Sequence, residues 1–126
     1  SKQSWGITSK IKEVDTFLRE NTQFNNVYEM HPELCFWALN NKKEMAYSKK
    51  KLEGFEERVK TLSTYYLQCG AIIDEALASY RRKDVAKDDI LDALVGAVTA
   101  RNSQPLKTMP AIPDIDIEGI KMAIVY

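Results

Sequence analysis

Residues 88–102 read DDILDALVGAVTARN. Asp88, Asp89 and Asp92 open the stretch, and no further charge follows until Arg101. At roughly 100° per residue, Leu91, Leu94, Val95 and Val98 share one bulky apolar face of a helix. Ala93, Gly96, Ala97 and Ala100 form a nearly opposite face of small residues. A helix that is apolar or small almost all round is expected to be buried on two sides. Asp89 and Asp92, three residues apart, are neighbours on its surface and lie beside the small face. Asp88 suits the N-cap and Asp89 the positive helix N-terminus, but Asp92 sits a turn further in. Two close carboxylates repel, and a divalent cation would relieve them.

The chain around this helix has 126 residues, enough for one domain with its own core. Lys and Arg together number 18, as do Asp and Glu, so the formal net charge is zero. A globally basic, polyanion-seeking surface is thereby excluded, and binding to nucleic acid needs a local patch. The longest apolar runs are too short for a membrane span, and no secretory signal is visible. Cys35 and Cys69 lie in helical segments without metal-type spacing, as buried free thiols of a reducing, cytoplasmic compartment would. The chain opens on Ser-Lys-Gln-Ser-Trp-Gly without Met, as a fragment, a processed product or a cleaved fusion would.

Outward from the aspartate helix, residues 1–7 read as an irregular lead-in. Ile11, Val14, Phe17 and Leu18 then predict a helix over 9–20, capped by Thr8 or Ser9. Asn21 to Asn26 is a polar loop, and NVYEM predicts a strand over 26–30. Pro32 suits the first position of a helix running to Asn40. A long helix starts near Ser48, with Leu52, Phe55, Val59, Leu62 and Tyr66 on one face, and Gly70 breaks it. AIIDEALASYRRK continues as a helix whose basic end suits the dipole. PLKTMPAIPDIDIEG reads as loop and GIKMAIVY as a final strand. Five helices and two strands do not make a comfortable independent sheet, so the chain is either mainly helical or lacks strands.

Other residues could carry chemistry. Glu29 ends the predicted strand ahead of a helix, where functional and solvated carboxylates both occur. His31, the one histidine, fits a hydrogen-bonded structural role, a ligand or a base. Glu33 is accounted for by the helix dipole. Lys49, Lys50 and Lys51 stand at a predicted helix N-terminus, which disfavours cations; they read as a phosphate-contacting patch or as a solvated loop, with Lys42 and Lys43 near in sequence. Trp5, Trp37, Tyr65 and Tyr66 read as core in preference to base-stacking platforms.

SKQSWGI, KIKEVD, VYEMHPELCFWALN, YSKK, DDILDAL and GIKMAIVY occur in this order in a bacterial and archaeal family. The chain resembles, over nearly its whole length, the predicted RNase H-like nuclease family known as domain of unknown function four-two-nine. The resemblance implies an α/β, RNase H-like fold, here a helix-rich partial domain over 1–126 that lacks the N-terminal strands. It implies phosphodiester hydrolysis by carboxylates around two divalent cations, Mg²⁺ or Mn²⁺. Glu29 matches the fourth-strand acid, and Asp89 and Asp92 match the acids of the late helix, where Holliday-junction resolvases carry a similar D-x-x-D-A. The three would be both catalytic and metal-binding. The first-strand aspartate has no counterpart in this chain.

Two functions of different class follow. A nuclease domain, whole or partial, would use Glu29, Asp89 and Asp92 on a nucleic acid held by Lys49 and Lys50, with His31 nearby. A non-catalytic helical interaction module would expose a sheet edge and apolar helix faces, and would form a homo-oligomer or join a separate N-terminal half. A hydrolase with His31 as base ranks last, because no nucleophile stands in a recognisable motif.

Overall fold

Four of the five helices form one packed body. The computed structural model describes residues 2–24, 26–102 and 105–126. Its helices are α1 (Lys2–Glu20), α2 (Pro32–Leu39), α3 (Leu52–Tyr65), α4 (Cys69–Ser79) and α5 (Lys87–Asn102). Two short strands, β1 (Thr108–Met109) and β2 (Ile124–Val125), pair antiparallel with Thr108 opposite Val125. No described helix is long and apolar enough to cross a membrane.

The core lies where α5 meets α2, α3 and α4. Phe36 and Cys35 from α2, Leu62 from α3, Cys69 from α4, and Leu91 and Val95 from α5 are fully buried there. The bulky face of α5 thus packs as its spacing predicts, but burial on two sides is not what is found. Ala93, Ala97 and Ala100 are exposed, while a Cβ at Gly96 would meet the side-chain end of Met30. Both cysteines are buried and free.

α2 begins as its sequence dictates. His31 is extended at the N-cap and Pro32 takes the first turn, where its missing N–H costs nothing. Beyond Asn40 the chain reverses through Asn41 and Lys42, both at positive φ, and the Lys42 N–H closes on the Trp37 carbonyl at 2.8 Å. The following loop is clamped onto α3. Glu57 accepts the N–H groups of Ala46 and Tyr47, and Gly54 lies so close to the Ser48 backbone that a Cβ would sit 2.1 Å from the Ser48 carbonyl oxygen. Arg58, 3% exposed, completes the clamp. It donates to both oxygens of Glu33 and to the carbonyls of Tyr47 and Gly54, and stacks on Phe36. Glu33 is therefore held by an ion pair as well as by the helix dipole.

Several expected boundaries move. Residues 2–7 are helical, because the apolar spacing of α1 extends back to Ile7 and neither Thr8 nor Ser9 caps it; Ser1 lies outside the described residues, as does Asn25 of the expected loop. The segment 26–30 is not the expected strand: Asn26 lies in a turn, and the segment pairs through one parallel bridge, Met30 with Val125, and not through a ladder. The break after α3 comes at Tyr66, φ −147° and ψ 99°, while Gly70 lies in the first turn of α4, where a glycine costs little. α4 stops at Ser79, so the basic run Arg81–Lys83 lies beyond it. β1 falls within the expected loop after Pro105 because its backbone closes on β2. Trp5, expected in the core, is 80% exposed.

α1 stands apart from the α2–α5 body. Its ties to the rest include Phe17 stacked on Phe24, the Asn21 side-chain amide donating to the Phe17 carbonyl, and Arg19 beside Glu118. Trp5, Ile7, Ile11, Val14 and Phe17 are exposed along it.

Candidate functional site

The N-terminal ends of α3 and α5 border one open depression. Lys49, Lys50 and Lys51 from the clamped loop, with Lys87 and Asp88 from the start of α5, line this depression of about 400 Å³ floored by Leu52 and Phe55. The Lys87 ammonium lies over the Phe55 ring, 5.4 Å from its centre.

Asp92 lies one turn inside α5, behind this depression. Its Oδ2 accepts a 2.6 Å hydrogen bond from the Lys49 ammonium. Its Oδ1 is buried and has no hydrogen-bond partner. Burial of the Lys49 ammonium works against its charge. The hydrogen bond to Asp92, with the fields of Asp92, Asp88 and Glu33, more than offsets that and raises the Lys49 pKa above the ordinary lysine value.

The other predicted acids do different work. Asp89, not Asp88, satisfies the start of α5: its Oδ2 accepts the Ala86 N–H at 3.0 Å. Glu29 keeps its side chain exposed and uses its backbone carbonyl to accept the Val125 N–H at 2.8 Å. Its neighbour Met30 touches α5 at Gly96, one turn beyond Asp92. His31 is exposed at the N-cap of α2, without a side-chain cap bond. Among the described residues no group of three His, Cys, Asp or Glu side chains lies close enough to hold a metal ion. The acids of this chain thus do not fit a two-cation centre. Among the described residues, Asp92 alone has a buried carboxylate oxygen without a hydrogen-bond partner, and Lys49 supplies the positive charge beside it.

Two participants escaped the sequence reading. Lys87 looks like an ordinary linker lysine until α5 is seen to begin on it, which brings it beside Lys49–Lys51. Arg58 is hidden among surface charges of α3, next to the apolar Val59; its one available signal is Glu33 upstream, and pairing across 25 residues is not legible in a single chain.

The model of a protein family described as a protein of unknown function (DUF429) matches residues 1–114. No curated protein and no solved structure matches the chain.

Proposed function

The chain belongs to the DUF429 family, and from that premise we propose that it is the helical part of a nuclease-type domain of RNase H-like fold. In this reading it supplies Asp92 and a lysine-lined surface for nucleic acid. The remaining acids of a Mg²⁺ or Mn²⁺ centre come together only when strands are added beside residues 26–30. One observation carries the reading: the buried, partnerless Oδ1 of Asp92 on a carboxylate that a lysine neutralises. A carboxylate sheltered in this way, with a cationic group 2.6 Å away, is suited to a cation. Because the acids of this chain do not form a cation centre by themselves, no hydrolytic step is assigned to it alone.

The test removes the lysine. Lys49→Ala is expected to gain a Mn²⁺-dependent rise in unfolding temperature that wild type lacks and that Lys49→Ala/Asp92→Asn loses. Ligand at ten times its dissociation constant stabilises the native state by about 1.4 kcal/mol. No Mn²⁺ response in Lys49→Ala would remove Asp92 as a cation ligand and, with it, the structural support for a nuclease.

The second reading, a helical interaction module, is favoured by the exposed apolar residues of α1. It predicts concentration-dependent self-association in sedimentation equilibrium, abolished by Ile11→Lys/Val14→Lys. A strictly monomeric chain at high concentration contradicts it. Association with a separate N-terminal half, the other partner considered, leaves this chain monomeric until that half is added.

A further inference from the structure

We propose that the depression between the starts of α3 and α5 is a phosphate-binding site, with Lys50, Lys51 and Lys87 as its ligand-binding cations. The inference rests on the nucleic-acid part of the reading above and adds residues and a chemical class to it. It needs neither Asp92 nor a metal ion.

Four ammonium groups and one carboxylate line the depression, a local excess of positive charge in a chain whose formal net charge is zero. Lys49 is spoken for by Asp92. Lys50, Lys51 and Lys87 form no ion pair among the described residues, although 18 acidic residues are available in the chain. The placement also works against folding. Lys49–Lys51 immediately precede α3 and Lys87 is the first residue of α5, so every one of these cations faces the positive end of a helix dipole. α3 has no side-chain cap at Lys51 that would soften the field. Glu53 in the first turn of α3, and Asp88 and Asp89 in that of α5, offset part of this field, yet Lys50, Lys51 and Lys87 remain without an ion pair around one depression, an arrangement that an anion relieves. The backbone that carries the lysines is fixed in advance, because Gly54, Glu57 and Arg58 clamp the preceding loop, and Lys87 already rests over Phe55.

A phosphate suits this set, having several acceptor oxygens and no need of a planar two-pronged donor. Its source is either a nucleic-acid strand or a small phosphate compound, and the experiment separates them. Binding of a labelled single strand of roughly 12 nucleotides is followed by fluorescence anisotropy against salt, in EDTA. Inorganic phosphate is titrated separately while backbone amide signals are watched by NMR. Lys50→Ala/Lys51→Ala and Lys87→Ala are compared with the exposed controls Lys60→Ala and Lys121→Ala, all checked for native circular dichroism.

The expected result is about tenfold weaker strand binding by Lys50→Ala/Lys51→Ala, with the salt slope lowered by about 0.7 for each strand phosphate that is no longer neutralised. The controls stay within about twofold of wild type. Inorganic phosphate moving the amides of residues 50–54 and 87–89, with no strand binding, supports the site and assigns it a small phosphate ligand. Equal losses in sites and controls overturn the proposal, as does the absence of any response to strand and phosphate. Since no metal is present, the outcome is independent of whether Lys49→Ala uncovers a cation site.

Discussion

At the residue scale, Lys49 and Asp92 are unequal partners. Removing the lysine leaves a carboxylate with one oxygen already buried and partnerless. Removing the acid's charge leaves an ammonium on a long stem that can turn to solvent. Lys49→Ala is therefore expected to cost about 1–3 kcal/mol and Asp92→Asn about 1 kcal/mol or less, read from urea midpoints; the reverse order contradicts the pairing. The pH dependence has a definite sign. The Lys49 pKa is raised in the folded chain, so the folded state holds this proton more tightly than the unfolded state. On the alkaline side the contribution of the Lys49 charge is intact up to about pH 10.5 and is lost as pH rises through the folded value. Burial also pushes the Cys35 thiol up, with the Thr99 hydroxyl working the other way, and it too loses stability on the alkaline side. The part of the alkaline loss due to Lys49 should vanish in Lys49→Ala. Sequence singles out Asp92, because a charge one turn inside an apolar helix has no cheap explanation. It does not show that the nearest cation is Lys49, 43 residues away.

At the element scale, two helical glycines look alike in sequence and differ in structure. A Cβ at Gly54 would meet the backbone of Ser48 and Tyr47, which cannot yield without releasing the 44–51 loop. At Gly96 it would meet only the end of the Met30 side chain, which can swing away. Helix propensity favours Ala at both by up to about 1 kcal/mol. Gly54→Ala is nevertheless expected to destabilise by about 3 kcal/mol, and Gly96→Ala to stay within about 1 kcal/mol of wild type. Thermal unfolding of the two variants decides it, and equal effects would contradict the clamp that positions the lysines. Helix existence is legible because α2, α3 and α5 bury spaced apolar faces. Ends are less legible. The stop at Tyr66 is made by packing, since Tyr66 joins the core while Leu67 is 91% exposed, and no glycine or proline marks it. Strand pairing is least legible: Met30, β2 and β1 are far apart in sequence, and their short runs lack period-two alternation.

At the scale of the whole molecule, α2–α5 supply a buried core, while α1 and the 26–30 segment leave apolar groups outside it. Val27 and Tyr28 are exposed on that segment, as Ile7, Ile11 and Val14 are on α1. Periodicity correctly marks α1 as amphipathic, but it cannot say what the apolar face packs against, because that depends on surfaces other than the helix. The same limit applies to the candidate site. Acid positions are readable one by one, whereas their convergence depends on how Met30 and α5 are brought together, and here only Asp92 is sheltered. The functional reading stands or falls with Asp92 as a cation ligand whose place is held by Lys49. The most direct measurement is an anomalous difference map from Mn²⁺-soaked crystals of wild type and Lys49→Ala. A peak about 2.2 Å from an Asp92 carboxylate oxygen is expected in the variant, and none there in wild type. A variant map with no peak at Asp92 would contradict the reading.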